Sequence, residues 1–176
     1  MADLTRITGA AKGTIFHHFK NKEDLFLNVL DNARQTIVHA FAAHTEKAGY
    51  KNGIRMVEGV ITFYLTLSRE HEDLFLLLHR HYPYQMAETS PECRRLLESV
   101  YTCLLDMFEQ GVATGLSDGS VSAVSPRNTA MLLFAMVDGV ARLNTYRLYE
   151  AGSLYSDLMA SCRQILTPGK ADMEAV

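Results

Sequence analysis

Apolar residues recur at steps of three and four along nearly the whole chain, and no stretch alternates as a half-buried strand would, so the pattern predicts an all-α protein. From Asn21 to Glu46, Leu25, Val29, Ala33, Ile37, Ala40, Phe41 and His44 form one stripe of a long helix, with Asn21 as its cap and Gly49 as its end. From Gly53 to Arg69 there are two stripes, Ile54-Val57-Ile61-Tyr64-Leu65 and Met56-Val60-Phe63-Leu67, which predict a central helix enclosed on most sides. Leu74 to Leu78 predicts a short run that continues to Tyr82 and is stopped by Pro83. Pro91 opens a further helix through Leu97, Val100, Leu104, Phe108 and Val112, and the Gly- and Ser-rich segment 115–124 reads as a loop.

Ser125 and Pro126 supply the cap and first position of a helix reaching about Glu150. That helix is apolar on two faces, Ala130-Phe134-Val137-Ala141 and Leu132-Met136-Val140-Leu143, with Ala135 and Gly139 between them. The last helix carries the stripe Leu154-Leu158-Cys162-Ile165-Leu166 and ends at Pro168, leaving 169–176 as a flexible tail. Two terminal helices with more apolar surface than one chain covers predict a homodimer of paired helices. Its interface is expected at Leu132, Met136, Gly139, Val140, Leu143, Leu154, Leu158, Cys162 and Ile165; the competing expectation is a larger core within one chain.

With 176 residues, 48% hydrophobic and 21% charged types, the chain has the composition of one ordinary folded domain or one domain with a small appendage. Runs without Asp, Glu, Lys or Arg, such as Gly59 to Ser68 and Asn128 to Val137 and the longest, Gln35 to Thr45, are far shorter than the roughly 20 residues a bilayer requires, so no membrane partner is expected. The start lacks the basic cluster and apolar run of a secretory leader, which predicts a cytoplasmic location. The three cysteines, Cys93, Cys103 and Cys162, show no C-x-x-C spacing and are expected to be reduced. The net charge of −3 is unevenly spread: residues 1–25 carry four basic against three acidic groups, with His17 and His18 besides, and the remainder is acidic.

Near the start, Leu4 and Ile7 give a short helical face, Gly9 breaks it, and Ile15 and Phe19 resume a face before Asn21. Helix, Gly-containing turn and helix is the arrangement that lays its second helix in a DNA major groove. The residues Thr8-Gly9-Ala10-Ala11-Lys12-Gly13-Thr14-Ile15-Phe16-His17-His18-Phe19-Lys20-Asn21-Lys22-Glu23-Asp24-Leu25 resemble the TetR family of bacterial transcriptional regulators. That family's signature runs Ala-Gly-Val-Ser-x-Gly-x-Leu-Tyr-x-His-Phe-x-x-Lys-Glu-x-Leu. Gly115-Leu-Ser, Arg127-Asn-Thr-Ala and Val137-Asp-Gly-Val are similar to its looser C-terminal pattern.

The resemblance implies a homodimer with an N-terminal DNA-binding unit at 1–45, which includes a linking helix over 22–46, and a ligand-binding and dimerisation domain at 46–168. It implies double-stranded operator DNA as partner, a small-molecule effector that releases it, and no cofactor or metal. Thr5, Lys12, Gly13, Thr14, Phe16, His17, His18 and Lys22 are then the residues facing DNA. Lys12 would reach a guanine edge or a phosphate, Gly13 would let the backbone approach, and Lys22 would meet a phosphate at a helix N-terminus. Phe16 stands where the family has Tyr, and Ala11 where it has Ser, so a phosphate-reaching hydroxyl and a cap are both replaced. Family members carry a whole helix before the position of Leu4, so the first helix is expected to be missing here. The explanations are an internal methionine read as the start, a shortened chain, or a regulator that has lost operator affinity. The chain as it stands is expected to bind DNA weakly and with strong salt dependence, from a mobile N-terminus.

For the effector, the resemblance points to the central helices, with Phe63, Leu67, Phe75, Leu78, Tyr82, Met86, Tyr101, Met107 and Phe108 as lining and His79, His81 or Arg142 as polar anchors. The alternative is that most of these form core. A Met- and Phe-rich interior suits a hydrophobic or amphipathic molecule such as an acyl chain or a drug-like aromatic. The histidines are not spaced for catalysis or metal: His79 and His81 point to different sides of a helix, His71 lies eight residues before His79, and His39 and His44 diverge. No Gly-x-Ser-x-Gly elbow or phosphate-binding glycine loop is present, so no enzyme is expected. The other reading is a helical dimeric adaptor or effector-binding protein that has lost DNA binding.

Overall fold

The computed structural model describes residues 19–122 and 125–167. Among them are seven α-helices: α1 (Lys22–Ala48), α2 (Gly53–Glu70), α3 (Glu72–Leu78), α4 (His81–Thr89), α5 (Pro91–Asp118), α6 (Pro126–Thr145) and α7 (Tyr155–Leu166), with a 3-10 turn at Ala151–Leu154 before the last. No strand occurs among the described residues, as the helical periodicity predicts.

Polar residues start the helices, Asn21 and Ser125 as expected and Ser90 in addition. Asn21 accepts from the Asp24 amide at 2.8 Å, Ser90 from Cys93 at 3.3 Å and Ser125 from Asn128 at 3.4 Å, each taking up one of the amides that a helix start leaves without an internal partner. Pro91 and Pro126 occupy the first position, where a missing N–H costs nothing. Gly49 closes α1 in the left-handed conformation that suits a residue without a Cβ.

α2 is the axle, as its two stripes predict: Val57, Val60, Ile61 and Tyr64 are essentially inaccessible to solvent. α5 crosses it so closely at one point that the backbones touch. A Cβ at Gly53 would overlap the backbone N and Cα of Gly115 and stand 2.6 Å from the Gly111 carbonyl oxygen, so only glycine fits there. This corrects the loop expected at 115–124: α5 continues through Gly115 to Asp118, because Gly115 serves the helix crossing and the turn is made at Gly119. The far end of α5 then caps α2. Asp118 accepts from the Gly53 amide at 2.7 Å and Ser120 from Ile54 at 3.1 Å, while the Ser122 amide donates to the Leu166 carbonyl of α7 at 2.8 Å.

Two further boundaries depart from the sequence pattern. Pro83 does not stop a helix: it lies in the first turn of α4, where its absent N–H is not needed. The break falls instead at His79 and Arg80, between α3 and α4. α6 ends at Thr145 rather than near Glu150. The turn beyond it places Arg147 (φ 52°) and Tyr149 (φ 59°) in the left-handed region, which non-glycine residues adopt at a cost, so no glycine or proline marks the end.

α7 is tied to α2 by charge as well as packing. Glu58, nearly buried, accepts from Arg55 at 2.7 Å and from the Arg163 guanidinium. Burial opposes ionisation of Glu58, but the hydrogen bonds from Arg163 and then Arg55 outweigh it and hold its carboxyl below the usual range. The cysteines are free thiols, and no helix among the described residues is long and apolar enough to cross a membrane.

Candidate effector groove and nucleic-acid interface

Lys22 opens α1 with an exposed side chain, next to exposed Lys20. Of the residues expected to face DNA it alone lies within the described part; Thr5, Lys12, Gly13, Thr14, Phe16, His17 and His18 lie outside it. So does the tail expected at 169–176.

At the centre of the helical body, Asp138 of α6 is the acceptor of two buried neighbours through the same oxygen, Tyr64 of α2 at 2.6 Å and His79 Nε2 at 3.0 Å. Burial opposes its charge, yet the hydrogen bonds from His79 and Tyr64 outweigh burial and keep its carboxyl below the ordinary range. The Tyr64 phenol is driven well above its usual value by burial and by the Asp138 charge. The other ring nitrogen of His79, Nδ1, is buried without a hydrogen-bond partner.

Phe134, one helical turn before Asp138, joins this centre to an open groove. Its ring lies 5.9 Å from Tyr64, 6.2 Å from Phe108 and 6.2 Å from Tyr101, in edge-to-face or tilted contacts. The groove runs between α4, α5 and α6, has a volume of about 580 Å³ and is mainly apolar: Tyr84, Leu97, Tyr101, Leu105, Met131, Phe134 and Ala135 line it, with Glu88, Arg94 and Glu98 as its charged residues. The Tyr84 and Tyr101 hydroxyls stand 2.7 Å apart, and Tyr101 donates to the Leu78 carbonyl at 3.3 Å. Its size is that of a small-molecule site. A smaller cavity of about 320 Å³ lies between α2, α6 and the 3-10 turn, beside the Thr62–Tyr155 hydroxyl contact of 3.0 Å.

Residues 1–29 match the family model described as "Bacterial regulatory proteins, tetR family". The helical body is similar to a putative TetR-family transcriptional regulator from Rhodococcus sp. (TM-score 0.70, 16% identity, 93% of this chain and 85% of that one). It is also similar to the transcriptional regulator FadR from Bacillus subtilis, whose structure contains stearoyl-CoA (TM-score 0.66, 17% identity, 93% and 84% coverage). A TetR/AcrR-family regulator from Thermobifida fusca matches less closely, with a TM-score of 0.55 at 20% identity and coverage of 94% and 84%. The signature at residues 1–29 and the helical fold are thus both similar to those of TetR-family regulators. No curated protein matches the sequence significantly.

Within this TetR-type fold the expected lining residues separate into three groups. Leu67, Phe75, Leu78 and Phe108 are core, and His79 spends its Nε2 on Asp138 rather than standing free as an anchor. Phe63, Tyr82 and Met107 turn toward α1: Phe63 meets Phe41 at 5.3 Å and His44 at 5.2 Å, Tyr82 meets Phe26 at 5.5 Å, and Met107 shares a depression with Val38 and Phe41. Of the twelve, Tyr101 lines the groove; Met86 is half-buried against the core, and His81 and Arg142 are exposed. Sequence reasoning missed Tyr84, Leu97, Met131, Phe134 and Asp138 as site residues. The signal for Asp138 is present in the chain, a single acid following ten uncharged residues on an apolar helix.

The expected interface residues also divide. Leu132, Gly139 and Leu154 are exposed, and Met136, Val140, Leu143 and Ile165 are half-buried. Leu158 and Cys162 are corrected: both are buried in the chain's own core, because α7 turns that stripe toward its own chain.

Proposed function

We propose that this chain is a ligand-responsive, DNA-binding transcriptional repressor that acts as a homodimer and leaves its operator when a hydrophobic or amphipathic effector enters the α4–α5–α6 groove. The observation that carries the reading is the DNA-binding signature at residues 1–29, leading through α1 into a helical body with an apolar groove of ligand size. In this reading residues 1–45 contact the operator and residues 46–168 bind effector and partner. The B. subtilis protein with stearoyl-CoA supports an effector with a long apolar part. The exposed side of α6 at Leu132, Met136 and Gly139 supports pairing with a second copy.

The groove is connected to the interior that an effector would have to influence. Phe134 and Tyr101 wall the groove and also touch Tyr64 and the Leu78 carbonyl, next to the His79–Asp138 pair. An occupant that shifts Phe134 therefore bears on α2, the helix that follows the DNA-proximal α1.

Selection from a random duplex pool, followed by gel shift of the enriched site, tests the proposal. A specific complex that weakens as salt rises and dissociates with effector is the expected result. A dimer that enriches no sequence would instead identify a helical adaptor.

A further inference from the structure

We infer that the effector taken by the α4–α5–α6 groove is a cationic amphipath, a lipophilic quaternary ammonium or phosphonium, and not an anionic acyl thioester. The inference rests on the groove being the effector site, as proposed above, and adds the charge of the occupant.

Three aromatic side chains, Tyr84, Tyr101 and Phe134, line the groove. The first two are held in place by their mutual hydroxyl contact of 2.7 Å, and Tyr101 further by its 3.3 Å bond to the Leu78 carbonyl. Fixed aromatic faces attract a cation that sheds water easily, a property of alkylated nitrogen and phosphorus centres.

The charges at the groove have the matching sign. Glu88 and Glu98 both line it, and neither is engaged in an ion pair or hydrogen bond within the described residues. The cation of the lining, Arg94, directs its Nε–H to the Ala87 carbonyl at 3.1 Å, which ties its guanidinium to the backbone of α4. Asp138 lies close enough behind the rings for its charge to act on Tyr101, with Arg142 partly offsetting it. A thioester headgroup with several phosphates would need basic side chains at this mouth, and two carboxylates against one tethered arginine repel it.

Binding of four probes to the full chain, followed by intrinsic tyrosine fluorescence and calorimetry, tests this: tetraphenylphosphonium, dodecyltrimethylammonium below its micellar concentration, 1-dodecanol and stearoyl-CoA. The two cations are expected to bind roughly tenfold more tightly than 1-dodecanol at low salt, with the advantage shrinking as salt rises. The double variant Glu88→Gln/Glu98→Gln is expected to weaken both cations by about threefold to tenfold and leave 1-dodecanol unchanged. Ala135→Trp, and independently Met131→Trp, fill the groove and are expected to abolish binding of every probe.

Equal or tighter binding of 1-dodecanol or stearoyl-CoA, with loss in both tryptophan variants, overturns the cation inference while the groove stands. Unchanged affinity of every probe in both tryptophan variants overturns the groove itself. A double variant that weakens all probes alike also sinks the inference, because charge would then not be what the glutamates supply.

Discussion

The Asp138 carboxylate is the most consequential single group in the helical body, because two buried donors depend on one of its oxygens. Tyr64→Phe removes one hydrogen bond to a charged acceptor and is expected to cost about 1–3 kcal/mol in urea unfolding, with no change in the slope of the transition. Asp138→Asn is expected to cost more, since the buried His79 and Tyr64 then share a neutral acceptor. Acid should destabilise the protein through the same group. A carboxyl held below its usual range in the folded state contributes stability that is complete above its unfolded value, ~4, and is lost as pH falls through the lower folded value. Glu58 acts in the same direction. Unfolding midpoints measured from pH 6 down to pH 2 are therefore expected to fall, and to fall less steeply in Asp138→Asn.

Little of this was legible at the residue level. Tyr64 and Phe134 sit on stripes that mark them as helical and apolar, but periodicity cannot distinguish a core aromatic from one that walls a groove. Phe63 and Tyr82, chosen for their apolar character, face α1 instead, and that choice depends on how the helices cross, which no single stripe encodes.

Helix starts were legible because their chemistry is local: a capping side chain three residues before the amide it satisfies, followed by proline, as at Ser90-Pro91 and Ser125-Pro126. Features set by a distant partner were not legible. Gly115 reads as a loop glycine until α2 is laid across it, and Arg147 and Tyr149 make a turn with residues that carry no turn signal. The crossing yields a direct prediction. Gly53→Ala forces a methyl group into the α5 backbone, which has no rotamer to move aside, and is expected to lower stability by about 1–3 kcal/mol or prevent soluble expression. Gly49→Ala is the control: it meets no atom within 4 Å, and its penalty is the milder one of a left-handed alanine.

At the scale of the molecule, the exposed side of α6 is where the chain has apolar surface to share. Leu132 is 60% exposed there, and Gly139 is exposed and Met136 and Val140 half-buried along the same side. Leu132→Arg with Met136→Glu is expected to convert the proposed dimer to a monomer, read as a halved mass by light scattering coupled to size exclusion, with helical circular dichroism retained. If the proposed operator binding holds, such a monomer should also lose it while keeping its groove, since two half-sites are needed for DNA and residues of one chain line the groove.

Asp118 and Ser120 complete the first turn of a helix that begins some sixty-five residues earlier in the chain. While the polypeptide is being synthesised, α1 and α2 emerge long before the groups that finish the start of α2 exist, so those amides stay with water until the far end of α5 arrives. A ribosome that stalls before residue 118 therefore releases a product lacking that closure, exposed to proteases, and the body is expected to gain protection from digestion in one late step rather than helix by helix.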